Sequence, residues 1–192
     1  MSNNVFIDCG SNLGQGLKIF SSLYNMDSTW TVETFEPNPL LIESLRENIS
    51  SLPMSITVHN KAVWCYDGEI EFSMMMENSE GSSVNKLMDS GICLDSSSGS
   101  YRKHNTLIKV PCVNITSVLR KYSSEDNIIV KLDVEGSEFS IVRKLLEDNS
   151  LSLIKDLYIE WHTQYMSSES LQTQNELIQK IYESGTRHHF WH

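Results

Sequence analysis

Val5-Phe6-Ile7-Asp8-Cys9-Gly10-Ser11-Asn12-Leu13-Gly14-Gln15 opens the chain, and Trp30-Thr31-Val32-Glu33-Thr34-Phe35-Glu36-Pro37-Asn38-Pro39 follows soon after. The first stretch reads as an apolar strand, a glycine turn and the start of a helix. The second reads as another strand that ends on an acid. Strand, glycine turn, helix, strand, acid is the order in which an α/β fold holds an adenosine-containing ligand. The turn lets backbone N–H groups approach the ligand, and the acid accepts hydrogen bonds from ribose hydroxyls. A dinucleotide fingerprint, G-x-G-x-x-G, would need glycine at position 12, where the chain has Asn12. The spacing found is Gly10-x-x-x-Gly14, with Gly16 beyond it. That spacing favours S-adenosylmethionine, which has no pyrophosphate to cradle. A tight strand-to-helix turn without a ligand is the simpler alternative, and Glu36 at the next strand end tips the reading toward binding.

Working outward, apolar Leu13, Leu17, Phe20 and Tyr24 recur at helical spacing and predict a helix over Leu13–Met26. A second strand is expected over Trp30–Glu36. Asn38 is expected to N-cap the next helix, with Pro39 in its first position. Ser55–His59 predicts strand three, leading into Asn60-Lys61-Ala62-Val63. Glu69–Met74 and Leu107–Val113 predict an antiparallel pair, separated by a long serine-rich loop over 76–105 that would act as a lid. A short helix over Ile115–Tyr122, a strand over Ile128–Val134 and a helix capped by Ser137 come next. Then follow a strand over Asp156–Trp161, a helix over Ser168–Ser184 ended by Gly185, and one short strand in Thr186–His192. This alternation predicts an α/β, Rossmann-like fold with a mostly parallel central sheet and helices on both faces. One domain over residues 1–192 accommodates it.

Composition narrows the partners. Fifteen basic residues stand against twenty-five acidic ones, a net charge of −10. A nucleic-acid binder needs a basic face to displace counterions, so nucleic acid is disfavoured. No apolar run is long enough to span a bilayer. The early first strand leaves no room for a signal peptide, and the four scattered cysteines read as reduced thiols. Both point to a cytoplasmic protein. Asn48-Ile-Ser50 and Asn114-Ile-Thr116 match the glycosylation pattern by chance on this reading. His188, His189 and His192 are expected to decorate a mobile end, the Met74–Met76 run to pack at a strand end, and Trp64 and Trp161 either to line a pocket or to fill core.

Charges at two further strand ends supply a reaction. Lys131-Leu132-Asp133-Val134-Glu135 alternates charged and apolar residues where a central parallel strand should be apolar on both faces. Sites that break a local rule tend to be functional, although a lysine–carboxylate ion pair would also account for them. The neighbouring strand ends in Tyr158-Ile159-Glu160-Trp161-His162, which should bring Glu160 and His162 beside Asp133 and Glu135.

Taken in order, Phe6-Ile-Asp-Cys-Gly-Ser-Asn-Leu-Gly, Phe35-Glu-Pro-Asn-Pro, Asn60-Lys-Ala-Val, Lys131-Leu-Asp-Val-Glu-Gly-Ser-Glu and Ile159-Glu-Trp-His resemble an FkbM-type S-adenosylmethionine-dependent methyltransferase. The resemblance runs from about Val5 to His162 and includes the inserted strand pair and the Glu80-Gly-Ser-Ser loop. It implies a class I methyltransferase fold, truncated here at its C-terminal strands, and transfer to a hydroxyl of a sugar, glycan or natural product. A sheet cut short at that edge invites homo-oligomerisation.

Asp8, Gly10, Ser11, Asn12 and Gly14 are then expected at the methionine end of the cofactor and Glu36 with Asn38 at its ribose. Asn60, Ala62 and Val63 are expected at its adenine, with Asp133 shared between cofactor and chemistry. For catalysis, the set is Lys131, Asp133, Glu135, Glu160 and His162. His162 is the natural base by its ordinary pKa, oriented by Asp133 or Glu135, unless one of those acids is itself the base. A divalent metal on Asp133, Glu135, Glu160 and His162 is an alternative. So is ribose methylation of capped RNA through Lys131, Asp133 and Glu160, though no second lysine completes that set. A non-catalytic module that keeps the cofactor pocket is the alternative outside enzymes.

Overall fold

A computed structural model describes residues 2–75, 105–165 and 169–192. The expected lid over 76–105 lies almost wholly outside them. A six-stranded sheet, all parallel, runs in the order β3-β2-β1-β7-β8-β9. Its strands are β1 (Asn4–Cys9), β2 (Trp30–Phe35), β3 (Ser55–His59), β7 (Asn127–Leu132), β8 (Asp156–Ile159) and β9 (Arg187–Phe190). This is the expected Rossmann-like arrangement. Strand order reverses between β1 and β7, the place where such sheets open a ligand crevice. At the far edge β9 pairs with β8, so the expected final short strand forms.

Alternation along β1 and β7 sorts the core. Val5, Ile7, Cys9, Ile128, Val130 and Leu132 face one layer, packed against α3 (Ile115–Leu119), α4 (Glu138–Glu147) and α5 (Leu171–Glu183). Phe6 and Ile129 face the other, against α1 (Gln15–Leu23) and α2 (Ile42–Ile49). A smaller sheet, in the order β4-β6-β5, joins β4 (Ala62–Trp64), β5 (Gly68–Met75) and β6 (Asn105–Asn114). The expected antiparallel pair is β5 with β6, while Ala62–Trp64 adds parallel to β6 rather than serving only as a strand exit.

Several boundaries move for local reasons. The first helix begins at Gln15, because Gly14 is left-handed at φ 86°, and it stops before Asn25, left-handed at φ 47°. Asn38 caps only a turn, accepting from the Leu40 N–H at 3.0 Å, and the helix proper starts at Ile42. Ser137 makes no capping hydrogen bond. Ser170 caps the last helix, accepting from Thr173 N–H at 3.1 Å. The C-terminal histidines are not loose decoration. His188 is buried and accepts the Trp161 indole N–H at 3.0 Å, and His189 pairs with Asp156 at 2.7 Å. Trp161 thus belongs to the core, edge-on to Phe139.

Candidate active site

The crevice at the strand-order reversal is a pocket partly open to solvent. The large sheet contributes Gly10, Phe35, Glu36 and Asp133 to its wall, and the small sheet contributes Ala62, Val63 and Phe72. Asn12, Pro37, Val134 and Glu135 complete the lining. Its lining is therefore part apolar and part acidic. No lysine or arginine lines it among the described residues.

Gly10 is required sterically. It is left-handed at φ 83°, and a Cβ there would lie 1.7 Å from the Asp133 carbonyl oxygen. The Gly10 and Ser11 N–H groups both donate to the Phe35 carbonyl, at 3.0 and 3.1 Å, so the first turn is fastened to the end of β2. Asn12 and Glu135 are also left-handed, at φ 49° and 53°. Two non-glycine residues in that region on one cavity wall mark strain held where the site is. Gly14 serves packing, since a Cβ would meet Ile49 at 2.7 Å.

Glu36 is buried, and its carboxylate accepts the Asn12 N–H and the Asn38 N–H, each at 2.8 Å. Burial raises its pKa to about 7, against the opposing effect of those two donors. Asn60 does not line the cavity. Its side-chain amide donates to the Glu36 and Pro37 carbonyls at 2.9 and 3.1 Å and fixes the exit of β2. Ser11 and Asn38 are likewise buried beneath the wall, Ser11 hydrogen-bonded to Thr34.

Asp8 and Lys131 are register partners on adjacent strands, and both are buried. The Lys131 ammonium lies 3.4 Å from Asp8 and 3.1 Å from Asp133, and it donates to the Gly10 carbonyl at 3.0 Å. Burial alone would lower its pKa, but the two carboxylates hold it above the ordinary lysine value. Gly16 makes room for its stem, since a Cβ there would sit 3.1 Å from Lys131 Cε. Lys131 is therefore an interior tie between the two turns rather than a cavity group.

The expected meeting of the acids that follow β7 and β8 occurs. His162 Nε2 is 3.4 Å from Glu135 and 3.9 Å from Glu160. Its Nδ1 is 3.0 Å from Glu138, a residue that sequence reasoning passed over in favour of Ser137. Burial pushes the His162 pKa down, but Glu138, Glu135 and Glu160 outweigh it and raise it to about 9. The ring is an imidazolium at neutral pH, so it is not the free base its ordinary pKa led us to expect. Burial, reinforced by Asp133 alongside, pushes Glu160 up to about 7. Asp133, Glu135 and His162 also bring one potential metal-ligating atom each to within 4.8 Å of one another. Phe35, Pro37, Phe72 and Val134 of the lining were not among the residues expected at the site, and neither was Glu138, which lies behind it. Phe72 left no signal, whereas an acid in the first turn of a helix, as Glu138 is, was a readable one.

A family model described as "Methyltransferase FkbM domain" matches residues 8–187. No curated protein and no solved structure matches the chain.

Proposed function

Because the chain belongs to the FkbM methyltransferase family, it is a methyltransferase, and we propose that it uses S-adenosylmethionine to methylate a hydroxyl of a sugar, glycan or similar small molecule. The observation that carries the cofactor assignment is Glu36, a buried carboxylate at a strand end facing the crevice beside a glycine that admits no side chain. The wall fits that cofactor. Glu36 retains lone pairs for ribose hydroxyls, while Phe35, Ala62, Val63 and Phe72 offer apolar surface to a base. Gly10 and Asn12 border the methionine end, and a lining that holds acids but no lysine or arginine among the described residues suits a ligand bearing an ammonium and a sulfonium. When bound, S-adenosylmethionine supplies a methyl group made electrophilic by positive sulfur.

The chain's own residues do the rest. Apolar walls exclude water, and fixed geometry turns a bimolecular encounter into an effectively unimolecular one. Glu160, beside the lining residue Asp133, is the base: it would accept the acceptor O–H proton as the new oxygen–carbon bond forms and the methyl–sulfur bond breaks, leaving neutral S-adenosylhomocysteine. Its raised pKa matches that work near neutrality. Asp133 lines the cavity with Glu160 beside it, and the His162 imidazolium offsets part of the crowded negative charge. Hydroxyl acceptors suit a lining that bears carboxylates, because each hydroxyl donates to a carboxylate. The RNA alternative loses support, since Lys131 is walled off behind the cavity and the chain is strongly acidic. The His162 imidazolium offsets part of that charge, and no metal step is proposed.

Calorimetry with S-adenosylhomocysteine tests the reading. The unaltered chain should bind it, and Glu36→Ala should weaken binding by roughly 10- to 100-fold, the loss of charge-assisted hydrogen bonds. Absence of binding to the unaltered chain, or unchanged affinity in Glu36→Ala, overturns the assignment.

A further inference from the structure

Glu138 stands in the first turn of α4, fully buried, and one of its oxygens carries three contacts. Oε1 accepts the Val134 N–H at 2.9 Å and the Gly136 N–H at 3.3 Å, and it lies 3.0 Å from His162 Nδ1. The first two contacts hold the turn that carries Asp133 and left-handed Glu135. The third reaches across to the segment after β8 that carries Glu160. Oε2 is buried and accepts no hydrogen bond among the described residues. Leaving a carboxylate oxygen unsatisfied in the interior is costly, and such groups call for an explanation beyond stability. A helix cap alone is supplied more cheaply by Ser137, whose hydroxyl is present and unused.

We infer that Glu138 is the positioning residue of this site: one buried oxygen locks the Asp133–Glu135 turn to the His162 ring and aims Nε2 at Glu135 and Glu160. A carboxylate on Nδ1 fixes how the ring is turned. With Nδ1–H donated to Glu138, Nε2 can face only the acids at the cavity. The ring then sets the spacing of the groups that take the acceptor's proton. The inference rests on the proposed methyl-transfer site, but its geometry can be read without any acceptor.

The test is proton and nitrogen-15 spectroscopy of the His162 ring in the full chain, assigned by its disappearance in His162→Gln. The unaltered chain should show a slowly exchanging, strongly downfield Nδ1–H. Glu138→Gln keeps an acceptor oxygen in place, so the resonance should persist but move upfield. Glu138→Ala should lose it. Binding of S-adenosylhomocysteine, measured alongside, should be retained in Glu138→Gln, because Glu138 does not line the cavity. No such resonance in the unaltered chain, or an unshifted one in Glu138→Gln, overturns the inference even where Glu138→Ala fails to fold. Loss of binding by the unaltered chain would instead strike the cofactor assignment and leave the ring geometry to be judged separately.

Discussion

Gly10 shows how little freedom a single position has. Any Cβ would drive into the Asp133 carbonyl from a backbone conformation that already disfavours one. Gly10→Ala should destabilise the chain by on the order of 3 kcal/mol, read as a lowered midpoint in denaturant. Glu36 and Glu160 give the site its pH dependence. Both are acids whose pKa burial raises to about 7. Each gains its charge as pH rises through that value, so S-adenosylhomocysteine affinity should strengthen between pH 6 and pH 8. Transfer of labelled methyl to a panel of sugars should likewise be about tenfold stronger at pH 8 than at pH 6. Above about pH 9 the His162 imidazolium is lost and transfer should fall again. A flat profile between pH 6 and pH 8 would remove Glu160 as the base.

At the level of elements, β9 and the segment after β8 carry histidines with opposite responses to acid. His188 is buried and its pKa is lowered to about 4, chiefly by burial. Since the unfolded chain takes up this proton near 6.5, stability from a neutral His188 is lost as pH falls from about 6.5 toward 4. His162 runs the other way: its contribution is complete below 6.5 and is lost as pH rises through about 9. Thermal melts should therefore show a falling midpoint on acidification below about pH 6.5, and His188→Gln, which keeps an acceptor for Trp161, should flatten that slope. Strands and helices were legible because their periods are local: β1, β2, β3 and β7 sit within two residues of where alternation puts them. Caps were less legible. Asn38 and Ser137 are ideal capping types, yet Asn38 closes a preceding turn and Glu138 displaces Ser137, choices made by neighbours far away in sequence. The meeting of Asp133, Glu135, Glu160 and His162 followed from strand adjacency. What no local pattern encoded was that β5 folds over the crevice to present Phe72, or that three carboxylates would convert His162 from base to cation.

Across the whole molecule, Lys131 is the most consequential buried charge. It joins Asp8 of β1, the Gly10 turn and Asp133 of the neighbouring turn. Lys131→Met strands two carboxylates at the centre of the sheet, and the expected loss is about 3 to 5 kcal/mol by denaturant titration. A double change, Lys131→Met with Asp8→Asn, should recover part of it, because contacting charges are not additive. Among the described residues no helix is long and apolar enough to cross a membrane. The central place of β1 also sets a timetable. Its partner β2 follows at once along the chain, but the lysine that reaches Gly10 comes 121 residues later. At typical ribosomal speeds that gap is roughly 10 s. For that interval the glycine turn has β2 beside it but not β7, so the crevice between them is incomplete until β7 lies beside β1.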